Sequence, residues 1–509
     1  GEAFFTGSNP QGFDFYSAHL FLRNYKEWLK ALALGDYSVS FGQGLILQLG
    51  YANGKSGFTT DVARLNRTLN PYTSVNEASF FRGGAATLHF FDHLDLTVFG
   101  SVRQLDGNVV AEEDLEIDDP VEVNLSSLYN SGLHRTPSEI EDEGAVRNVT
   151  TGGSIKYKTD RWHLAANAVY DQLDISLMPR PQVYNRFYFS GNQLLNTSLD
   201  YAVRLGNLRF FGETARSSNN AYATLNGLLI GLDRNMDLSI VQRAFDRDFQ
   251  TLRGNPLAET AGVRNEQGLY LGTEIRLSKT WRLNAYMDLF KHPWLRFNID
   301  APTTGYEWLG RITYYQKRKL EIYAQVRNEV KYRNAVNNET KIDYTLPTQR
   351  LSTRLQFSYI LSKAVELRSR LSVNSYNDGL LEQPEFGYLL YQDIIYKPLG
   401  PLSFTARYAV FRTDSFNARL YAYENDLLYS FSIPAYFNTG TRFYLNLRYK
   451  GIRNLTLEAR FAQSYFQDGN LLSEKGATTP TMPNIIGSGL DEIEGNTRTE
   501  LKFQLKYKF

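Results

Sequence analysis

Along most of the chain, apolar and polar residues alternate with a period of two. In "RFYLNLRYK", Phe443, Leu445, Leu447 and Tyr449 share one face, while Arg442, Tyr444, Asn446, Arg448 and Lys450 share the other. After the short link "GIRN", "LTLEARF" sets Leu455, Leu457, Ala459 and Phe461 against Thr456, Glu458 and Arg460. "KLEIYAQVRNEVKYR" places Leu320, Ile322, Ala324 and Val326 opposite Glu321, Tyr323, Gln325 and Arg327. "WRLNAYMDLF" repeats the pattern with Trp281, Leu283, Ala285, Met287 and Leu289. The final "TRTELKFQLKYKF" puts Leu501, Phe503, Leu505, Tyr507 and Phe509 on one face, against Lys502, Gln504, Lys506 and Lys508. Period two is the signature of a strand with two unlike faces.

One face of these strands is broad and apolar enough for lipid. The other is too charged for a packed core, because each buried Arg or Glu needs a partner. A polar lumen resolves the conflict, whereas a soluble sandwich core does not. The pattern therefore predicts an all-β fold, a single large antiparallel transmembrane outer-membrane β-barrel of about 22–24 strands spanning residues 1–509. Arg327, Glu329, Lys331, Arg333, Arg442, Arg448, Glu458 and Arg460 are the candidate lumen-lining ions. Their mixed sign suits cross-lumen ion pairing and hydrated passage without a strong ion preference. Tyr449, Phe461, Trp281 and Tyr507 lie near strand ends, where interfacial aromatics belong.

Link lengths point the same way. Ten short links ("RNYKE", "FFDHL", "KTDR", "RLGN", "LDRN", "LSKT", "QKRK", "LSKA", "KPLGP" and "GIRN") fall between strand pairs. They mostly alternate with longer segments at 42–79, 107–148, 176–190, 248–265, 334–347 and 468–496. Barrels of this class have tight periplasmic turns and longer external loops. The stretch "ARLYAYENDLLYSFSIPAYF" leaves two alternatives open: one long strand, or two strands with a turn near Asn425 and Asp426. The second makes the strand count odd. An even count would then require a strand before Gly1, and the Met-less start "GEAFF" fits either a removed leader or a longer protein.

Composition removes several classes. With 55 basic and 54 acidic residues the net charge is +1, which gives no bulk reason for nucleic-acid binding. Cysteine is absent, so disulfides, thiol catalysis and thiolate metal sites are excluded. No apolar run approaches the roughly eighteen residues of a membrane helix. The alternating aromatic ending resembles the sorting signal read by the outer-membrane barrel-assembly machinery. That resemblance implies that Leu501, Phe503, Leu505, Tyr507 and Phe509 direct insertion.

A wider resemblance rests on "GFDFYSAHLFLRN", "ALALGDYSVSFGQGLIL", "RTLNPYTSVNEASFFRGGAATL", "SGLHRTPSE", "ATLNGLLIGLDRN" and "HPWLRFNIDAP". Together these segments resemble large outer-membrane barrels of Bacteroidota described as helix-hairpin-helix domain-containing. The resemblance covers nearly the whole chain but implies little about activity. No helix-hairpin-helix segment is visible in this chain, so nucleic-acid contact is not supported by it.

Candidate chemistry is sparse. His89 and His93 are spaced as a helical metal pair would be, but they sit at a strand end and its turn, where that spacing does not bring two rings together. No Ser is paired with a particular His, so no catalytic site and no enzyme is expected, and no cofactor or metal either. The acidic run "AEEDLEIDDPVEVN" lacks the spacing and glycine of a calcium loop. In "FGQGLILQLGYANGKSG", Gly50 and Gly54 are one residue too close to each other for Lys55 and Ser56 to complete a phosphate loop. That segment is expected to fold into the lumen or over the mouth, its glycines permitting close backbone approach and positive φ.

The expected function is an outer-membrane channel or transport component of a Gram-negative bacterium, with a loop-gated or partner-plugged polar lumen. The alternative is a scaffold barrel with a closed lumen inside a larger assembly; DNA handling follows only from the family likeness. The expected partners are the lipid bilayer, the assembly machinery during insertion and other envelope proteins.

Overall fold

The computed structural model describes residues 5, 12–13, 15–50, 52, 54–64, 67–112, 122–129, 132, 134, 136–335, 342–467, 485–486 and 493–509. Among the described residues, one antiparallel sheet gathers 24 strands. It has the expected β-barrel fold, in which strands next to each other in the chain pair as hairpins. The Gly191–Leu205 strand, for example, pairs with Trp162–Leu177 on one side and Leu208–Ser217 on the other.

Burial along the strands is inverted relative to a water-soluble protein. In Gly191–Leu205, Leu195, Thr197 and Leu199 are exposed, while Asn196, Ser198 and Asp200 are buried. In Trp162–Leu177, Trp162, Leu164, Ala166 and Ala168 face out, and Asn167 and Asp171 face in. Water would make such an outward face costly at about 25 cal/mol per Å² of apolar surface. Hydrocarbon removes that cost, and the paired sheet satisfies the backbone groups that hydrocarbon cannot.

All ten short links are turns between paired strands, as the spacing predicts. In "FFDHL", Phe91 (φ 51°) and Asp92 (φ 60°) both adopt positive φ, the mark of a turn whose twist matches a hairpin. The segments 42–79, 107–148, 176–190, 248–265 and 334–347 fall between strands that these short turns do not join. Within 107–148 lie a small hairpin, Gly107–Glu112 with Glu122–Leu128, and a short helix, Pro137–Glu141. Most of 468–496 lies outside the described residues.

Neither alternative for "ARLYAYENDLLYSFSIPAYF" is realised. Leu402–Thr413 pairs directly with Thr439–Ile452, and residues 414–438 form no spanning strand. Leu420–Tyr421 instead pairs with Ala435–Tyr436 in a small ribbon. Leu420, Ala422 and Tyr436 pack on Leu389, Tyr391, Ala409 and Phe411 of the inner wall. The alternation is real, but it serves a ribbon lying on an inner face that is part apolar and part ionic. A buried Glu424 would be unsupportable against lipid.

Two compact units are distinguishable. The first comprises Gly1–Thr273, Tyr286–Tyr306 and Tyr332–Thr345; the second comprises Glu274–Ala285, Glu307–Lys331 and Leu346–Phe509.

Candidate functional site

In the first unit, the described residues between 40 and 64 leave the sheet and fold against its inner face. Phe41, Leu45, Ile46 and Leu47 are almost wholly buried. Gly42 holds φ at 48°, and a Cβ there would come 2.7 Å from the Glu213 carboxyl carbon and 2.8 Å from Asp200 Cβ. That approach lets Glu213 accept hydrogen bonds from the Gln43 amide at 2.7 Å and the Leu45 amide at 3.0 Å. Gly44 follows at φ 87°, so both glycines are used as the sequence suggests.

Further along, the Thr59 carbonyl accepts from Ser239 Oγ at 2.7 Å and from the Tyr270 hydroxyl at 3.0 Å. Its own hydroxyl donates to the Thr273 carbonyl at 2.6 Å. Between these anchors Lys55 reaches a buried acidic pair, 2.9 Å from Asp288 and in contact with Glu259. Arg243 grips the same Asp288 with a fork of 2.8 and 3.0 Å and donates to Glu266 at 2.5 Å. Charge-assisted forks of this kind fix geometry as well as supplying energy. Residues 246–265 run beside the segment: the Asn255 amide donates to Gly44 at 2.8 Å and the Gln48 amide to Arg253 at 2.9 Å.

Beyond this latch, at the long-loop end of the first unit, lies a cavity of about 1370 Å³. Gln182, Asn185, Tyr188, Asn255, Asn298 and Asp343 are among its lining residues. Arg264 stacks over Tyr188 at 3.7 Å, and Tyr184 meets Phe297 edge-on at 5.7 Å. Burial draws the Arg264 guanidinium below its ordinary pKa.

In the second unit the ribbon 414–438 carries its own latch. Glu424 is fully buried and accepts from Arg442 at 2.8 and 3.0 Å, from the Tyr436 hydroxyl at 2.6 Å and from Arg460. Burial alone would raise the Glu424 carboxyl, but the hydrogen bonds and charges around it, Arg442 foremost, hold it below the usual glutamate value. Asp426 accepts from Lys502 at 2.8 Å, and the Leu428 amide donates to Glu458 at 2.9 Å.

The lumen candidates named from sequence mostly meet partners. Arg327 lies 2.7 Å from Glu307 and 3.8 Å from Glu329, and Lys331 also contacts Glu329. Arg448 pairs with Glu458 at 2.5 Å. Arg442 and Arg460 converge on Glu424, a residue the alternation does not single out. Arg333, by contrast, is exposed at its strand end. The C-terminal residues Leu501, Phe503, Leu505, Tyr507 and Phe509 all face out, Phe503 with 78 % of its surface open. His89 and His93 diverge: His89 bonds Asp95 at 2.7 Å, and His93 meets Tyr157 ring to ring at 5.6 Å. The acidic run lies outside the described residues from 113 to 121.

The latch partners Glu213, Arg243, Glu266 and Asp288 were missed at the sequence level. Their only signal is a charge at an inward position of an alternating strand. The loop atoms that meet them come from far along the chain.

A sheet of this size, apolar on the outward face of its strands and ionic on the inward face, defines an outer-membrane β-barrel protein. No protein-family model matches the chain, and no curated protein sequence matches it. Among solved structures it is similar to the "Copper transporter OprC", with 11% identity, 84% of this chain and 74% of that one covered, and a TM-score of 0.45. It is also similar to OccAB3 of Acinetobacter baumannii (12% identity, 82% and 98% covered, TM-score 0.33). The ferric yersiniabactin uptake receptor FyuA of Yersinia pestis is a third (10% identity, 96% and 69% covered, TM-score 0.37). Likenesses at these scores say nothing about what this chain carries.

Proposed function

We propose that this protein is a channel or transport component of the outer membrane, gated by its inward-folded segment 40–64. The observation that carries the proposal is the polar latch joining that segment to the inner wall through Lys55, Thr59 and the Gln43 and Leu45 amides. Such contacts are exchangeable: water entering a lumen rehydrates an ammonium and a carboxylate as they part, which a lipid-sealed core would not allow. The cavity at the loop end supplies room for a solute on the near side of the latch.

Single-channel conductance of the purified protein in planar bilayers tests this. Gated openings are expected. Silence, with insertion verified independently, would overturn the channel function in favour of a scaffold barrel with a closed lumen.

A further inference from the structure

Two neighbouring short turns of the first unit frame a second cleft, away from the latch. One turn joins Val146–Lys158 to Trp162–Leu177, and the other joins Gly191–Leu205 to Leu208–Ser217. The cleft has a volume of about 440 Å³, and Lys158, Asp160, Arg161, Trp162, Arg204 and Arg209 are among its lining residues. Of its charged lining residues, four are cations and one is a carboxylate.

Arg204 and Arg209 are directly opposite each other across their strand pair. Alternation puts both on the inward face, with Asp200 and Glu213. Like charges facing each other in this way destabilise a sheet. Other inward arginines of the first unit have acids to meet: Arg243 has Glu266 and Asp288, and Arg253 has Asp171. Among the described residues, Lys158, Asp160, Arg161, Arg204 and Arg209 make no ion pair. Asp200 is already engaged, by His163 at 2.9 Å and Asn167 at 2.8 Å, with Lys156 at 3.8 Å.

The backbone holds the cations together. Thr159 Oγ1 accepts from the Arg161 amide at 3.3 Å and from the Trp162 amide at 3.1 Å, which fixes the first turn. The Arg204 amide donates to the Arg161 carbonyl at 2.7 Å, which ties that turn to the next hairpin. The side chains of Lys158, Arg161 and Arg204 stay exposed. On the outward face Trp162 stacks on Tyr157 at 5.2 Å, so the cleft sits at the level where interfacial aromatics belong.

The charge balance selects the ligand. A carboxylate would answer only one of these cations, whereas a phosphate monoester carries a charge of about −1.5 to −2 and three acceptor oxygens. Guanidinium forks match those oxygens in geometry. We propose that Lys158, Arg161, Arg204 and Arg209 form a phosphate-binding cleft at the short-turn end of the wall. The phosphate comes either from a lipid headgroup of the adjoining leaflet or from inorganic phosphate in the adjoining water. Binding there does not depend on conduction.

The test uses the full chain in detergent, with ionic strength held constant by chloride. Equilibrium dialysis measures radiolabelled inorganic phosphate, and native mass spectra measure phosphatidic acid retained from doped micelles. Saturable binding of at least one probe is expected, weakened about tenfold in Arg209→Gln. Retention of phosphatidic acid assigns the lipid source, and saturable inorganic phosphate alone assigns the soluble one. Lys279→Gln removes a cation from another short turn, "LSKT", and should bind as the parent does. Without ligand Arg209→Gln should melt no lower than the parent, because it relieves the facing charges. The bound probe should raise the melting temperature of the parent more than that of Arg209→Gln. Failure of both probes, equal binding in Arg209→Gln, or an equal loss in Lys279→Gln overturns the proposal. So does a clear drop in the melting temperature of ligand-free Arg209→Gln, which would reveal an internal partner.

Discussion

Lys55 and Asp288 are 233 positions apart in the chain, yet the ammonium of one lies 2.9 Å from the carboxylate of the other. Asp288 is already forked by Arg243, so Lys55 is a second cation on a shared acidic group. Replacing Lys55 by Met keeps the stem and removes the charge, leaving Arg243 in place. The segment 40–64 should then detach more readily. We expect about a tenfold higher open probability in bilayers, which corresponds to about 1.4 kcal/mol; an unchanged value would exclude Lys55 as a latch.

Glu213 offers a different handle. Its carboxylate takes two backbone amides of the inward segment, and Glu213→Ala leaves both buried donors unmet at about 1–3 kcal/mol each. Thermal unfolding in detergent should show a clear loss for Glu213→Ala. Glu213→Gln, which keeps an acceptor oxygen, should fall between the two.

Gly42 sets the approach that makes those bonds possible. Any side chain there meets Glu213 and adopts an unfavourable φ. Gly42→Val should push the segment off the wall and raise its protease sensitivity in otherwise folded protein, read by limited digestion. A digestion pattern like the parent's would show that the wall yields instead.

The second latch carries a pH signature. Glu424 is held below its ordinary value near 4.5, so its stabilisation is complete above that value. It is lost as pH falls through the lower folded value. Melting temperature should drop on acidification below about 4.5, with a shallower drop in Glu424→Gln. At neutral pH that variant leaves Arg442 with Glu500 at 3.3 Å and Arg460 with Asp426 at 3.7 Å, so it loses stability without leaving either cation unpaired. Equal slopes in both proteins would place the acid sensitivity elsewhere.

The outward aromatics of the last strand allow a cellular test. Phe503→Ala with Phe509→Ala should lower the amount of folded protein in the outer membrane several-fold, measured by heat-modifiable gel mobility in isolated membranes. Normal levels would remove these residues from any insertion signal.

Much of the fold was legible because lipid imposes a strict rule on every second residue. The turns "GIRN" and "FFDHL" could be placed from that rule together with the link lengths. The same rule misled at residues 418–437, because a ribbon packing one face on an apolar patch of the wall also needs two unlike faces. The latches stayed hidden for another reason. Glu213 and Asp288 look like any other inward charge until Gln43, Leu45 and Lys55 arrive from a loop, and long-range partners leave no local trace.

The inverted burial of strands such as Gly191–Leu205 bears on how the chain travels. Leu195 and Leu199 are separated by polar neighbours, so a translocation pore threading the chain end to end meets no greasy stretch to release sideways. The lipophilic surface comes into being only when neighbouring strands dock and line their leucines up across the sheet. Until then the chain is an awkward passenger, too sticky to be left alone and too polar to be trapped early. Its lipid-facing surface is thus encoded in strand pairing rather than in any continuous apolar run.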